Sequence, residues 1–131
     1  MPATAVPPVV LVVEDNAAMR SLIRSLVEGT GAAVHECADG ESALDLYARV
    51  HPDWVLMDVK MGGMDGIAAT RALRRSDPGA RVVIVTEQQG EQVRRAATDA
   101  GAVGFVAKDH LLDLPQLLAG GGGPPPGAAS V

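Results

Sequence analysis

The sequence predicts an α/β fold in which a parallel sheet of five strands is covered by helices on both faces. Two observations lead there. Short strand-like segments, most of them apolar, alternate five times with stretches whose apolar residues recur at helical spacing. Several of those runs also stop abruptly at a charged or hydroxylated residue, which marks the end of a buried strand.

The first run, Val9 to Val13, follows Pro7-Pro8, and its length and branching favour a strand buried on both faces. It ends at Glu14-Asp15-Asn16. Met19, Leu22, Ile23, Leu26 and Val27 then recur as one face of a helix of about three turns. Arg20, Ser21 and Arg24 fall on the other side, and Gly29 and Gly31 stop it. Because Gly29-Thr30-Gly31 follows a helix, it reads as that stop and not as a phosphate loop.

A short strand, Ala33 to Cys37, precedes a helix from Glu41 to Arg49 with an inner stripe of Ala43, Leu44, Tyr47 and Ala48. His51-Pro52-Asp53 breaks the chain. Trp54 to Met57 is the third strand and runs into Asp58, and the glycines between Lys60 and Gly66 make a loop. A helix from Ile67 to Ser76, a turn at Asp77-Pro78-Gly79 and a strand from Val82 to Val85 ending at Thr86 follow.

The fourth helix, Glu91 to Ala100, shows Val93, Ala96, Ala97 and Ala100 on one face, and Gly101 ends it. The fifth strand is Gly104 to Ala107, with Lys108 at its carboxyl end. A short fifth helix is expected to be capped by Asp113, to carry Pro115 in its first turn, and to pack through Leu114, Leu117 and Leu118. Right-handed crossovers then give a flavodoxin-like three-layer sandwich, whose strand order is 2-1-3-4-5.

Length and composition agree with one such domain. The 131 residues suit a single core, 47% are hydrophobic and 21% charged, and with one Phe, one Tyr and one Trp the core must be aliphatic. The expected boundaries are a disordered lead at 1–8, the folded domain at 9–119, and a disordered Gly/Pro tail or linker at 120–131. A net charge of −5 speaks against direct nucleic-acid binding, and Arg71, Arg74 and Arg75 read as the solvated side of a helix. The lone Cys37 forms no internal disulfide, and no basic leader or membrane-length apolar stretch is present, so a cytoplasmic location is expected. His35, His51 and His110 are scattered and read as surface residues.

In a doubly wound sheet, ligands gather at the carboxyl ends of the strands, near the reversal between the first and third. Glu14 and Asp15 end the first strand, Asp58 the third, Thr86 the fourth and Lys108 the fifth, so all five share one rim. Any one of them alone is an ordinary solvated strand end. Together, three carboxylates repel unless a cation neutralises them, and oxygen-only ligation suits Mg2+ better than zinc. Asp58 is then the expected nucleophile toward phosphorus, Lys108 supplies a second positive charge, and the Thr86 hydroxyl reports on the new phosphate oxygens.

From Val9 to about Leu118 these residues resemble the receiver domains of two-component response regulators of the chemotaxis-regulator type. The resemblance lies in Leu11-Val12-Val13-Glu14-Asp15-Asn16, in Pro52 to Gly66 around Asp58, in Ala38-Asp39-Gly40, in Val85-Thr86, and in Ala100 to Asp109 with Lys108. It implies that Asp58 accepts phosphate from a histidine kinase or histidine phosphotransfer protein. It further implies Mg2+ held by Glu14, Asp15, Asp58 and the Lys60 backbone carbonyl, with Thr86 and Phe105 moving together as the switch. A downstream protein, or a second copy of the chain, would read the surface of the fourth helix, fifth strand and fifth helix. Such a module is not a conventional enzyme and catalyses only its own phosphorylation and dephosphorylation.

Three positions depart from the family pattern. Gly62 stands where proline is usual, Asp109 follows Lys108 in place of proline, and Glu87 follows Thr86 where a small residue is usual. A Glu87 carboxylate ~6 Å from a phosphate would repel it by about 1–3 kcal/mol, whereas one turned to solvent would not. These departures keep open a pseudo-receiver that binds partners without phosphorylation. A small haloacid-dehalogenase-like phosphatase is the other alternative, although Lys60 stands where its second carboxylate is expected.

Overall fold

The computed structural model describes residues 6–88 and 90–119, so the disorder expected for residues 1–5 and 120–131 lies outside the described residues. Strands β1 (Val9–Val13), β2 (Ala33–Cys37), β3 (Trp54–Met57), β4 (Val82–Thr86) and β5 (Gly104–Ala107) form one sheet. Its order is β2-β1-β3-β4-β5 and every pairing is parallel, as expected from the sequence. Helices α1 (Ala17–Glu28), α2 (Gly40–Val50), α3 (Gly66–Ser76), α4 (Glu91–Ala100) and α5 (Leu114–Ala119) connect and cover it. Among the described residues no helix is long and apolar enough to cross a membrane.

Alternation along the central strands divides the core in two. Val10, Val12, Trp54, Leu56, Val83 and Val85 pack with Ile23 and Val27 of α1 and with Leu114, Leu117 and Leu118 of α5. Leu11, Val13, Val55, Met57, Val82 and Ile84 pack on the opposite face with Ala43 and Tyr47 of α2, Ala69 and Leu73 of α3, and Ala97 of α4. Because both faces are covered, strand side chains pointing either way are buried, and the runs read as continuous apolar sequence. Each such aliphatic side chain contributes about 1.5–3 kcal/mol on burial.

The turns leading into the first three helices are held by side-chain caps. Asn16 accepts from the Met19 N–H at 2.8 Å, Asp39 from Ser42 at 2.7 Å and Asp65 from Ala68 at 2.8 Å. Two of these caps flank the carboxyl ends of β1 and β3, so the same turns that start α1 and α3 also hold the rim.

Four expectations are corrected. Leu22 is 47% exposed, because α1 turns only Ile23 and Val27 fully inward. Ala48 is exposed on α2, where Leu44 and Tyr47 already fill the inner face. Arg74 is half-buried and turns back to donate to the Pro78 and Ala80 carbonyls, closing the turn after α3. Asp113 does not cap α5 from an extended position: it ends a 3₁₀ helix, Lys108–Asp113, that runs straight into Leu114 in helical conformation.

Candidate functional site

Four segments meet at the carboxyl edge of the sheet. Glu14, Asp15, Asn16, Asp58, Lys60, Thr86, Glu87, Gln88 and Lys108 line one small cavity of about 200 Å³. Each expected catalytic or metal-ligating residue is therefore present there. Phe105 is not part of the lining.

The parallel register places them. Val13 pairs with Met57, so Glu14 and Asp58 leave neighbouring strands one residue later, side by side. The Asp58 N–H donates to the Val13 carbonyl at 3.1 Å, and the Glu14 N–H donates to the Cys37 carbonyl at 3.1 Å, extending the ladders to the rim itself. Thr86 pairs with Ala107, which delivers Lys108 at the end of β5.

Backbone packing beneath the site is tight at Gly66. Its N–H donates to the Val59 carbonyl at 2.9 Å, and a Cβ at that position would stand 1.8 Å from the Asp58 carbonyl oxygen. Only glycine lets the first turn of α3 lie this close to the strand end. The loop glycines were visible in the sequence, but which one meets Asp58 depends on how α3 docks.

Charge is concentrated and largely dry. Lys108 Nζ lies 2.7 Å from Glu14 Oε1 and 3.0 Å from Asp58 Oδ2, with the three side chains 9%, 1% and 7% exposed. Asp58 Oδ1 accepts from the Val59 N–H at 2.7 Å, and Glu14 Oε2 from the Asn16 N–H at 3.0 Å. Burial pushes the Glu14 carboxyl above its ordinary value, against the opposing pull of Lys108 and Asn16. Burial alone would lower the Lys108 pKa, but its close contacts with the Glu14 and Asp58 carboxylates raise it above its ordinary value. One ammonium thus serves two carboxylates.

Asp15 is exposed at the mouth, and oxygens of Glu14, Asp15 and Asp58 lie within 4.8 Å of one another. Glu14 Oε1 is buried and meets Lys108 only as an ion pair, without a well-directed hydrogen bond, so it retains unused acceptor capacity toward the cavity. An all-oxygen set with one buried, under-satisfied acceptor suits a hard divalent cation and not a soft metal.

Thr86 is 1% exposed, and its hydroxyl oxygen accepts from the Gln88 N–H at 3.1 Å, tying it to the loop after β4. Glu87 is exposed at the cavity edge, the solvent-facing orientation weighed from the sequence. Phe105 pairs with Ile84 two positions below the Thr86–Ala107 pair, so it lies on the same sheet face as Thr86 but deeper under α4.

One supporting residue was not read from the sequence. Arg20 donates through Nη1 to the Glu14 carbonyl at 2.8 Å and through Nε to Glu36 at 3.0 Å, binding α1 and β2 to the acidic turn. Arg24 also bonds Glu36, and its contact comes first in holding the Glu36 carboxyl below its ordinary value, with Arg20 adding to it. On the helix these arginines look like a solvated face, and only the neighbouring strand supplies their partner.

Comparison with known proteins agrees with this geometry. Residues 10–119 match the family described as response regulator receiver domain. The chemotaxis protein CheY of Halobacterium salinarum is 35% identical over 99 residues, covering 76% of this chain and 82% of that protein. A two-component response regulator of the LuxR family from Aurantimonas sp. SI85-9A1 superposes with a TM-score of 0.83 at 36% identity, covering 95% of this chain and 94% of that one. A chain of the CheX-CheY-BeF3-Mg2+ complex from Borrelia burgdorferi gives a TM-score of 0.81 at 27% identity, covering 88% and 90%.

Proposed function

The chain belongs to the response regulator receiver family of two-component signalling, and we propose that it works as a phosphoacceptor switch charged on Asp58. The observation that carries this reading is the Asp58 carboxylate at a strand end, with the Lys108 ammonium shared between it and Glu14 and the Glu14 and Asp15 oxygens within 4.8 Å. Phosphoryl transfer needs charge neutralisation and positioning more than acid–base groups. A buried ammonium beside a clustered oxygen set supplies the first, and the strand ladder supplies the second.

Glu14, Asp15, Asp58 and the Lys60 carbonyl would hold Mg2+, which would supply positive charge to offset the negative charge of the phosphoryl group. The solved relative named with BeF3 and Mg2+ supports that choice. A carboxylate oxygen of Asp58 forms the new bond to phosphorus as the donor's phosphorus–nitrogen bond breaks, and the donor's imidazole leaves with that electron pair. Lys108 follows the new negative charge, and the Thr86 hydroxyl donates a hydrogen bond to a phosphoryl oxygen. Drawing Thr86 inward moves its loop, Phe105 follows on the same sheet face, and the α4-β5-α5 surface changes for a downstream protein or a second copy. The donor is a histidine kinase or a histidine phosphotransfer protein, in keeping with the family.

Incubation with acetyl phosphate and Mg2+ tests this, with chelator and with Asp58→Asn as controls. The expected result is one acid-stable, alkali-labile label per chain, lost in both controls. Continuous turnover of many phosphate esters would point instead to a phosphatase. No label at all would point to a partner-binding module that does not use phosphate.

A further inference from the structure

The chain contains a single phenylalanine, and one cation sits on it. The Arg94 guanidinium of α4 lies 4.6 Å from the centroid of the Phe105 ring on β5. Among the described residues no carboxylate pairs with Arg94, whereas its neighbour Arg95 reaches Glu91 at 3.7 Å. The aromatic face is therefore the specific partner of the Arg94 side chain, and the stack is not a by-product of an ion pair.

Phe105 itself is only half-buried. Its inner side packs against the α2–α3–α4 half of the core, and its outer side borders a groove of about 520 Å³ shared with Arg94, Thr98 and Val103. Helix α4 starts from Gly90 at φ +131, at the end of the loop that carries Thr86, Glu87 and Gln88. The helix that holds the arginine thus begins where the loop that touches the cavity ends.

We propose that Arg94 is a positioning residue that latches Phe105 in the seat it occupies here, where Lys108 pairs with Asp58 and the Thr86 hydroxyl with the Gln88 N–H, and so raises the threshold for the phosphorylated form. The inference rests on the reading that Phe105 moves when Asp58 is charged. A stack specific to one seat stabilises that seat alone, and any ligand favouring the other seat must first overcome it. A cation–π contact at a partly exposed site shifts such a balance by about 2–5-fold.

The single Phe makes the test direct. Para-fluorophenylalanine incorporated into the full chain gives one fluorine resonance from Phe105, to be followed with and without beryllofluoride and Mg2+. In the parent chain the resonance moves on addition of both. Arg94→Ala is expected to displace the unliganded resonance toward that liganded position and to strengthen apparent beryllofluoride binding about 2–5-fold, with Arg94→Lys in between. Because Arg94 is exposed and outside the cavity, the fold and the residues lining the Asp58 cavity should be unaffected. If the parent responds but Arg94→Ala changes neither the resonance nor the binding, the latch is refuted and the switch reading survives. If the parent binds beryllofluoride with no movement of the Phe105 resonance, both are refuted.

Discussion

Removing the Lys108 ammonium tests the electrostatic core of the site most severely. At 2.7 Å and 3.0 Å, each of its two contacts is worth about 6 kcal/mol at an effective dielectric of about 20. Desolvation of three nearly buried charges consumes most of that. What remains after truncation is two carboxylates, one of them 1% exposed, facing one another without a cation, a situation that costs about 3–5 kcal/mol. For Lys108→Ala in chelator, with a urea m-value of about 1.5 kcal/mol/M, the unfolding midpoint should fall by about 2–3 M. Mg2+ should restore more stability to the variant than it adds to the parent, since no ammonium then competes for Glu14 and Asp58. Acidification should narrow the deficit: the Glu14 carboxyl already lies above its ordinary value, and losing Lys108 moves it further up. A variant within about 1 kcal/mol of the parent, with no extra response to Mg2+, would refute the shared-cation reasoning.

Three further outcomes follow from neighbouring residues. Gly66→Ala puts a Cβ 1.8 Å from the Asp58 carbonyl oxygen, so the backbone must yield; stability should drop by at least about 1–3 kcal/mol, and acetyl phosphate labelling by up to about 100-fold, as read by denaturation and radiolabel. Glu87→Ala should speed labelling of Asp58 by only about 2–5-fold, because Glu87 is exposed; an unchanged rate would remove the repulsion idea. Glu36 has its folded pKa depressed below 4.5, so its contribution is present above that value and lost as pH falls through the lower folded value. Urea midpoints measured against pH should therefore decline less steeply in that acid window for Glu36→Gln than for the parent.

Much of this molecule was legible before any coordinates. The runs at Val9, Trp54, Val82 and Gly104 are legible as strands at nearly the observed bounds, since a fully covered parallel sheet leaves an uninterrupted apolar signature. The rim residues Glu14, Asp58, Thr86 and Lys108 are legible for the same reason, each being the first polar residue after such a run, and Asp15 follows Glu14 directly. Helix ends shifted by a residue or two. Leu22 and Ala48 were misplaced because periodicity gives a face but not how wide a part of it the neighbours cover.

Sequence by itself determined the order of elements, the strand-end chemistry and the likeness to receiver domains, because these depend on residue type and on local spacing. Tertiary structure decided which distant groups share a charge or a surface. Lys108 divides itself between Glu14 and Asp58, Gly66 presses on the Asp58 backbone, Arg20 grips the acidic turn, and Arg94 covers Phe105. None of these pairs is adjacent in the chain. Their energies depend on separations of a few ångströms and on exclusion of water, and both arise only when helices dock on the sheet.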